Sequence, residues 1–174
     1  MTPSEAKLKE LMLYVADQSF DDPDFGATKL NKILAACDFE TYVVLGTAVT
    51  GVPYQKLTHG PAPRRLLPLQ QELIGAGDAM LLPRQVATYT QRRLVALRDP
   101  DLKVFDAPEM SIIDSVIKRC RGLSGTALSH MSHEADGWQA AALGEDIPYS
   151  TAYWSMHELT SDDIERARAL AAAG

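Results

Sequence analysis

Thr28-Lys29-Leu30-Asn31-Lys32-Ile33-Leu34-Ala35-Ala36-Cys37-Asp38 is the stretch that sets the fold class of this chain. Leu30, Ile33, Leu34 and Cys37 recur at helical spacing, so the run predicts an amphipathic helix with one apolar stripe. Thr28 is the expected cap, and the helix is expected to continue through Tyr42 and Val44 to a stop at Gly46. On this reading Lys29, Asn31, Lys32, Asp38 and Glu40 form the opposite, solvated face.

The same pattern recurs on both sides. Upstream, Thr2-Pro3-Ser4-Glu5 reads as a capping box with proline at the first helical position. Leu8, Leu11, Met12 and Val15 then follow on one face, and Asp21-Asp22-Pro23 closes the helix. Downstream, a helix is expected from near Pro63 with Leu66, Leu67, Leu69, Leu73 and Ile74, ended by Gly75 and Gly77. Asp106-Ala107-Pro108-Glu109 caps a further helix whose stripe is Ile112, Ile113, Val116, Ile117 and Cys120. Ser124 starts a shorter helix to about His133, and Trp138 opens another turn or two. Between these, Val86 to Leu97 is rich in strand formers, with Gln91-Arg92 as the expected bend of a small hairpin. Thr160-Ser161-Asp162-Asp163 caps a last helix at about 160–172. The expected fold is mainly α, of the α+β type: one domain over 1–174, a compact bundle of about six to seven helices carrying a small antiparallel β-hairpin.

Composition narrows the function classes. The 174 residues are 46% hydrophobic and 23% charged, a globular balance that argues against disorder. No apolar run reaches the length of a membrane span, and MTPSEAKLKEL lacks the apolar core of a signal peptide, so a cytoplasmic protein is expected. Cys37 and Cys120 fall on apolar helix faces and are expected as reduced core thiols. A net charge of −6 disfavours phosphate-driven nucleic-acid binding and suits a protein partner.

Tyr54-Gln55-Lys56-Leu57-Thr58-His59-Gly60-Pro61-Ala62-Pro63 is the segment with the most functional content. His-Gly-Pro followed by a second proline constrains the backbone heavily, and a loop held in one shape is suited to meeting a partner. His59 could serve as a general base, but no nucleophile motif accompanies it, so ordering of its own loop by a side-chain hydrogen bond, or partner contact, is the expected role. His130 and His133 stand three residues apart, without the further ligands that zinc requires. Catalytic residues, metal and cofactor are therefore expected to be none. Arg64-Arg65, Arg92-Arg93 with Arg98, and Lys118-Arg119-Arg121 are local basic clusters. Trp138 and Trp154 fit either a core or an interface.

Three ordered segments together give the chain a family resemblance. Lys29-Leu30-Asn31-Lys32-Ile33-Leu34 with Ala36 and Asp38 is similar to a K-L-x-K-[LI]-L helix. Tyr54 with His59-Gly60-Pro61 and Pro63 forms the second segment. Ser124, Leu128, Ser132-His133 and Trp138 form the third. The set resembles the Panacea domain of SocA-like antitoxins, found in bacterial and phage toxin–antitoxin pairs. The family often has an aromatic where this chain has Ala35 or Ala36, and a proline where it has Gly137.

The resemblance implies a mainly helical protein that neutralises a cognate, nearby-encoded toxin by direct binding, with a place in phage defence. In SocA-like members it implies delivery of the toxin to a protease machine, and it implies no enzymatic activity. The candidate partner-binding residues are Tyr54, His59, Gly60, Pro61, Arg64, Ser132, His133 and Trp138. A DNA-binding, winged-helix-like regulator using the hairpin arginines for operon autoregulation is the second reading. An enzyme built on His59 or the His130/His133 pair is the third.

Overall fold

Thr2 and Glu5 exchange hydrogen bonds as a full capping box, and α1 runs from there over Pro3–Gln18. The computed structural model describes residues 2–86 and 89–153. The expected helix at 160–172, with Trp154 and His157, lies outside the described residues. α2 spans Ala27–Leu45 and ends as expected in left-handed Gly46. Its N-cap is Gly26 rather than Thr28, and no side chain caps it.

Two antiparallel strand pairs interrupt the helices, where the sequence pattern indicated one. β1, Tyr54–Leu57, pairs with β2, Gly60–Pro63, with Tyr54 opposite Pro63 and Leu57 opposite Gly60. The His-Gly-Pro segment is therefore the bend and return strand of a hairpin. Proline is tolerated there because each strand of a two-stranded ribbon has an unpaired edge. α3, Leu66–Gly75, follows at once. β3, Ala79–Val86, and β4, Tyr89–Ala96, form the second hairpin, in which Val86 pairs with Tyr89. That hairpin starts earlier than the strand propensities indicate, and Gln91-Arg92 sits within β4 rather than at a bend. An all-helical description of the chain is accordingly inexact.

Asp106 and Glu109 form the second capping box and start α4, Ala107–Cys120. Ser124 caps α5, Gly125–His133, and α6 covers Asp136–Ala140. Short 3₁₀ turns lie at Leu102–Val104 and Tyr149–Thr151. Among the described residues no helix is long and apolar enough to cross a membrane.

α2 is the central element, touching α1, α4, α5, β2, β4 and the Tyr149–Thr151 turn. Its stripe, Leu30, Ile33, Leu34 and Cys37, packs with Leu8, Leu11, Met12 and Val15 of α1 and with Ile113, Val116 and Ile117 of α4. A helix surrounded on so many sides has little face left for solvent. Lys29, Lys32 and Asp38, expected outside, are all buried, at 1%, 5% and 0% exposure. That correction determines the rest of the site.

Candidate functional site

A buried charge is tolerated only when it is paired or hydrogen-bonded, and the polar side chains of α2 draw three distant segments onto the helix. Lys29 pairs with Asp22 at 2.6 Å and donates to the carbonyl of Leu123 at 2.7 Å, tying the helix to the α4–α5 junction. Lys32 donates to the carbonyl of His59 and to Ser132 Oγ at 2.9 Å, which fastens the first hairpin to α5. Ser129 donates to the same His59 carbonyl at 3.3 Å. Asp38 accepts from the amide and the hydroxyl of Thr50, both at 2.6 Å, and from the Tyr54 hydroxyl at 2.9 Å. Burial pushes the Asp38 carboxyl up, against the pull of these donors, and pushes the Tyr54 hydroxyl well above its ordinary range. Burial also draws Lys32 down to about 8.

Gly60 is required by this arrangement. Its φ is +113°, in the region that disfavours side chains, and a Cβ there would run into Lys32 Nζ and lie 2.7 Å from Ser132 Oγ. The closeness of backbone, ammonium and hydroxyl explains the Gly-Pro pair better than loop rigidity alone.

The far side of the hairpin is equally committed. Arg64 pairs with Asp146 and donates to the carbonyl of Gly144 at 2.7 Å, clamping residues 144–147 against β1. The amide of Ile147 donates to Tyr54 O at 2.8 Å, and the Tyr149 hydroxyl donates to Val52 O at 2.6 Å. Arg64 is thus engaged within the fold.

At the α5–α6 corner the His133 ring stacks on Trp138, with centroids 4.0 Å apart and planes 14° from parallel. Lys56 Nζ sits 4.1 Å from the Trp138 ring, and the indole N–H donates to Leu57 O at 3.3 Å. His133 is held below its ordinary pKa, first by burial and then by the nearby charges of Lys32, His130, His59 and Lys56.

The eight residues singled out from sequence divide by exposure. Tyr54 and Gly60 are buried and hold the scaffold, while Pro61, Ser132, His133 and Trp138 are part-exposed around one corner, and His59 and Arg64 are exposed. His59 is tied to α2 and α5 through its backbone carbonyl, whereas a side-chain hydrogen bond was expected to order its loop. Between α2, α5, α6 and residues 147–152 lies a groove of about 280 Å³, lined by Ala35, Ala36, Phe39, Met131, Trp138 and Ile147 together with Lys32 and Ser132. A second, polar cleft of about 630 Å³ has His59, His130 and His133 on its walls with Gln91 and Arg92. Among the described residues no three His, Cys, Asp or Glu side chains are placed to hold a metal ion.

A family model described as antitoxin SocA-like, Panacea domain, matches residues 30–139. The chain belongs to this antitoxin family. The matched stretch runs from α2 to α6, and so includes the Lys32–His59–Ser132 junction and the His133–Trp138 stack of this Panacea domain. No curated protein matches the chain. The groove was invisible to sequence reasoning because its walls come from segments more than a hundred residues apart. The paired signals that could have exposed it were the two lysines on α2, which only become informative once the helix is central.

The basic clusters of the Panacea domain are largely spent on its own fold. Arg93 is buried and donates to the carbonyls of Ser19 at 2.6 Å and Phe20, capping the end of α1. Arg98 grips Glu10 at 2.7 Å and Asp78 at 3.2 Å. Arg119 pairs with Glu40, and Arg65 with Glu5 at 3.0 Å.

Proposed function

We propose that this protein is a non-catalytic antitoxin that neutralises a cognate toxin by direct, non-covalent binding. The observation that carries the reading is the rigid corner where the first hairpin, α5 and α6 meet. There Lys32, Ser132 and the His59 carbonyl fix the backbone, and Trp138 and Met131 border an open apolar groove. A surface fixed before association loses less conformational entropy on binding. Family membership supports a toxin as the partner.

The test is growth of a bacterial host expressing the neighbouring open reading frame with and without this chain. Relief of a growth arrest by co-expression supports the reading; a toxic neighbour that is not relieved counts against the pairing. Two fates of the bound toxin separate by its half-life. Occlusion leaves toxin abundance unchanged, whereas delivery to a protease lowers it.

Operon binding through the second hairpin is the weaker reading, because Arg93 and Arg98 are engaged internally. A catalytic role for His59 is also weaker, since its carbonyl rather than its ring joins the Lys32 junction.

A further inference from the structure

Lys29 and Lys32 are buried to nearly the same degree on one helix, yet they are compensated differently. Asp22 neutralises Lys29 at 2.6 Å. Lys32 bonds only to a carbonyl and a hydroxyl, and no carboxylate lies within ion-pair distance of it among the described residues. An ammonium has three donors, and these two bonds use two of them. Lys32 is one of the residues that line the groove, whose walls are otherwise mainly apolar. The surroundings add positive charge: Lys56 Nζ stands 4.1 Å from the ring of Trp138, which lines the groove. Glu40 and Arg119, which also line the groove, cancel each other as a pair. In a chain of net charge −6, Lys32 and Lys56 thus bring two ammonium groups to a mainly apolar slot.

We propose that the groove docks an apolar segment of the partner toxin through one aspartate or glutamate side chain, which Lys32 and Ser132 anchor while Met131, Phe39 and Trp138 grip the flanking apolar groups. This rests on the antitoxin reading above and adds the chemistry of the contact. Ala35 and Ala36 leave the space open, since any larger side chain there would fill it. A carboxylate drawn out of water is tolerated when it meets a preformed cation and donor, and its apolar neighbours gain from burial in the slot.

The test uses the full chain and two small probes, octanoate and octanamide, which share a chain and differ in the head group, an anionic carboxylate against a neutral carboxamide. Binding is followed by NMR at the Met131 methyl and the Trp138 indole. Octanoate is expected to shift both signals and to bind about tenfold more tightly than octanamide, the worth of one charge-assisted contact. The preference is expected to vanish in Lys32→Met, and Ala36→Phe is expected to bind neither probe. Equal affinity for the two probes, or shifts confined to other regions, would overturn the proposal. So would absence of binding by either probe.

In the growth assay, Ala36→Phe is expected to lose relief of the toxin while remaining folded. Full relief by folded Ala36→Phe would remove the groove from the interface and leave the antitoxin reading standing. No relief by the unaltered chain would instead overturn the antitoxin reading, and with it the identity of the partner.

Discussion

The hydroxyl of Tyr54 donates to Oδ2 of Asp38 at 2.9 Å, in a place where neither residue has contact with water. The bond joins the middle of α2 to the start of β1, and Thr50 completes the cluster from the loop between them. Tyr54→Phe removes one donor and leaves Asp38 its other two, so a loss of about 1–1.5 kcal/mol is expected. Asp38→Ala strands the Thr50 amide and hydroxyl and the Tyr54 hydroxyl together, and about 3 kcal/mol or more is expected. Urea unfolding of both variants checks the order. A larger effect from Tyr54→Phe would contradict it.

Gly60→Ala combines an unfavourable φ with a collision against Lys32, and it is expected to cost about 2–4 kcal/mol. Gly46→Ala supplies the control, because its φ of +79° carries strain but no atom lies within 4 Å of the added carbon. Thermal unfolding should place Gly60→Ala well below Gly46→Ala.

Lys32 titrates near 8 in the folded chain against an ordinary 10.5, so the unfolded chain holds more protons between those values. Stability contributed through Lys32 therefore rises with pH from about 8 to about 10.5, and the penalty for its charge is full below pH 8. The buried hydroxyls of Tyr14, Tyr54 and Tyr149 are raised and oppose this above pH 10. The comparison to make is the unaltered chain minus Lys32→Met between pH 7.5 and pH 9.5 (a window chosen to stay below those tyrosines). The difference is expected to grow with pH; a flat difference would show that Lys32 is not desolvated.

Neighbouring arginines of β4 are expected to behave oppositely. Arg93→Ala removes the two bonds that close the end of α1, leaving the Ser19 carbonyl only the Asp22 amide and taking the guanidinium from the Phe20 carbonyl, for an expected loss of about 2–3 kcal/mol. Arg92 is exposed, and Arg92→Ala is expected to stay within about 0.5 kcal/mol. Chemical denaturation of the pair measures this directly. Retention of promoter DNA that depends on Arg92 and disappears with added salt would revive the DNA-binding reading.

Local chemistry made much of the fold legible. Thr2 with Glu5 and Asp106 with Glu109 mark helix starts because a capping box closes within four residues. Ser124 and Gly46 punctuate helices for equally local reasons. The polar side of α2 misled because a hydrophobic pattern records side-chain type and not the number of neighbours. Five elements besides α1 crowd this helix, so residues that look solvated became buried hubs. The first hairpin was hidden by two prolines that strand propensity penalises, Pro61 opposite Lys56 and Pro63 opposite Tyr54. At the candidate site the residues were identifiable, but their division of labour was not. Tyr54 and Arg64 proved to be internal ties, and whether a side chain faces inward depends on contacts made 16 residues away for Tyr54 and 80 for Arg64.

The His59 carbonyl is the atom that Lys32 and Ser129 hold, and every amino acid supplies a carbonyl. Position 59 is thereby uncoupled from the frame beneath it, whereas position 60 is tied to it. A library randomised at 59 with glycine kept at 60 would display different side chains at one fixed point in space. Partner preference could then be varied there without re-optimising the scaffold.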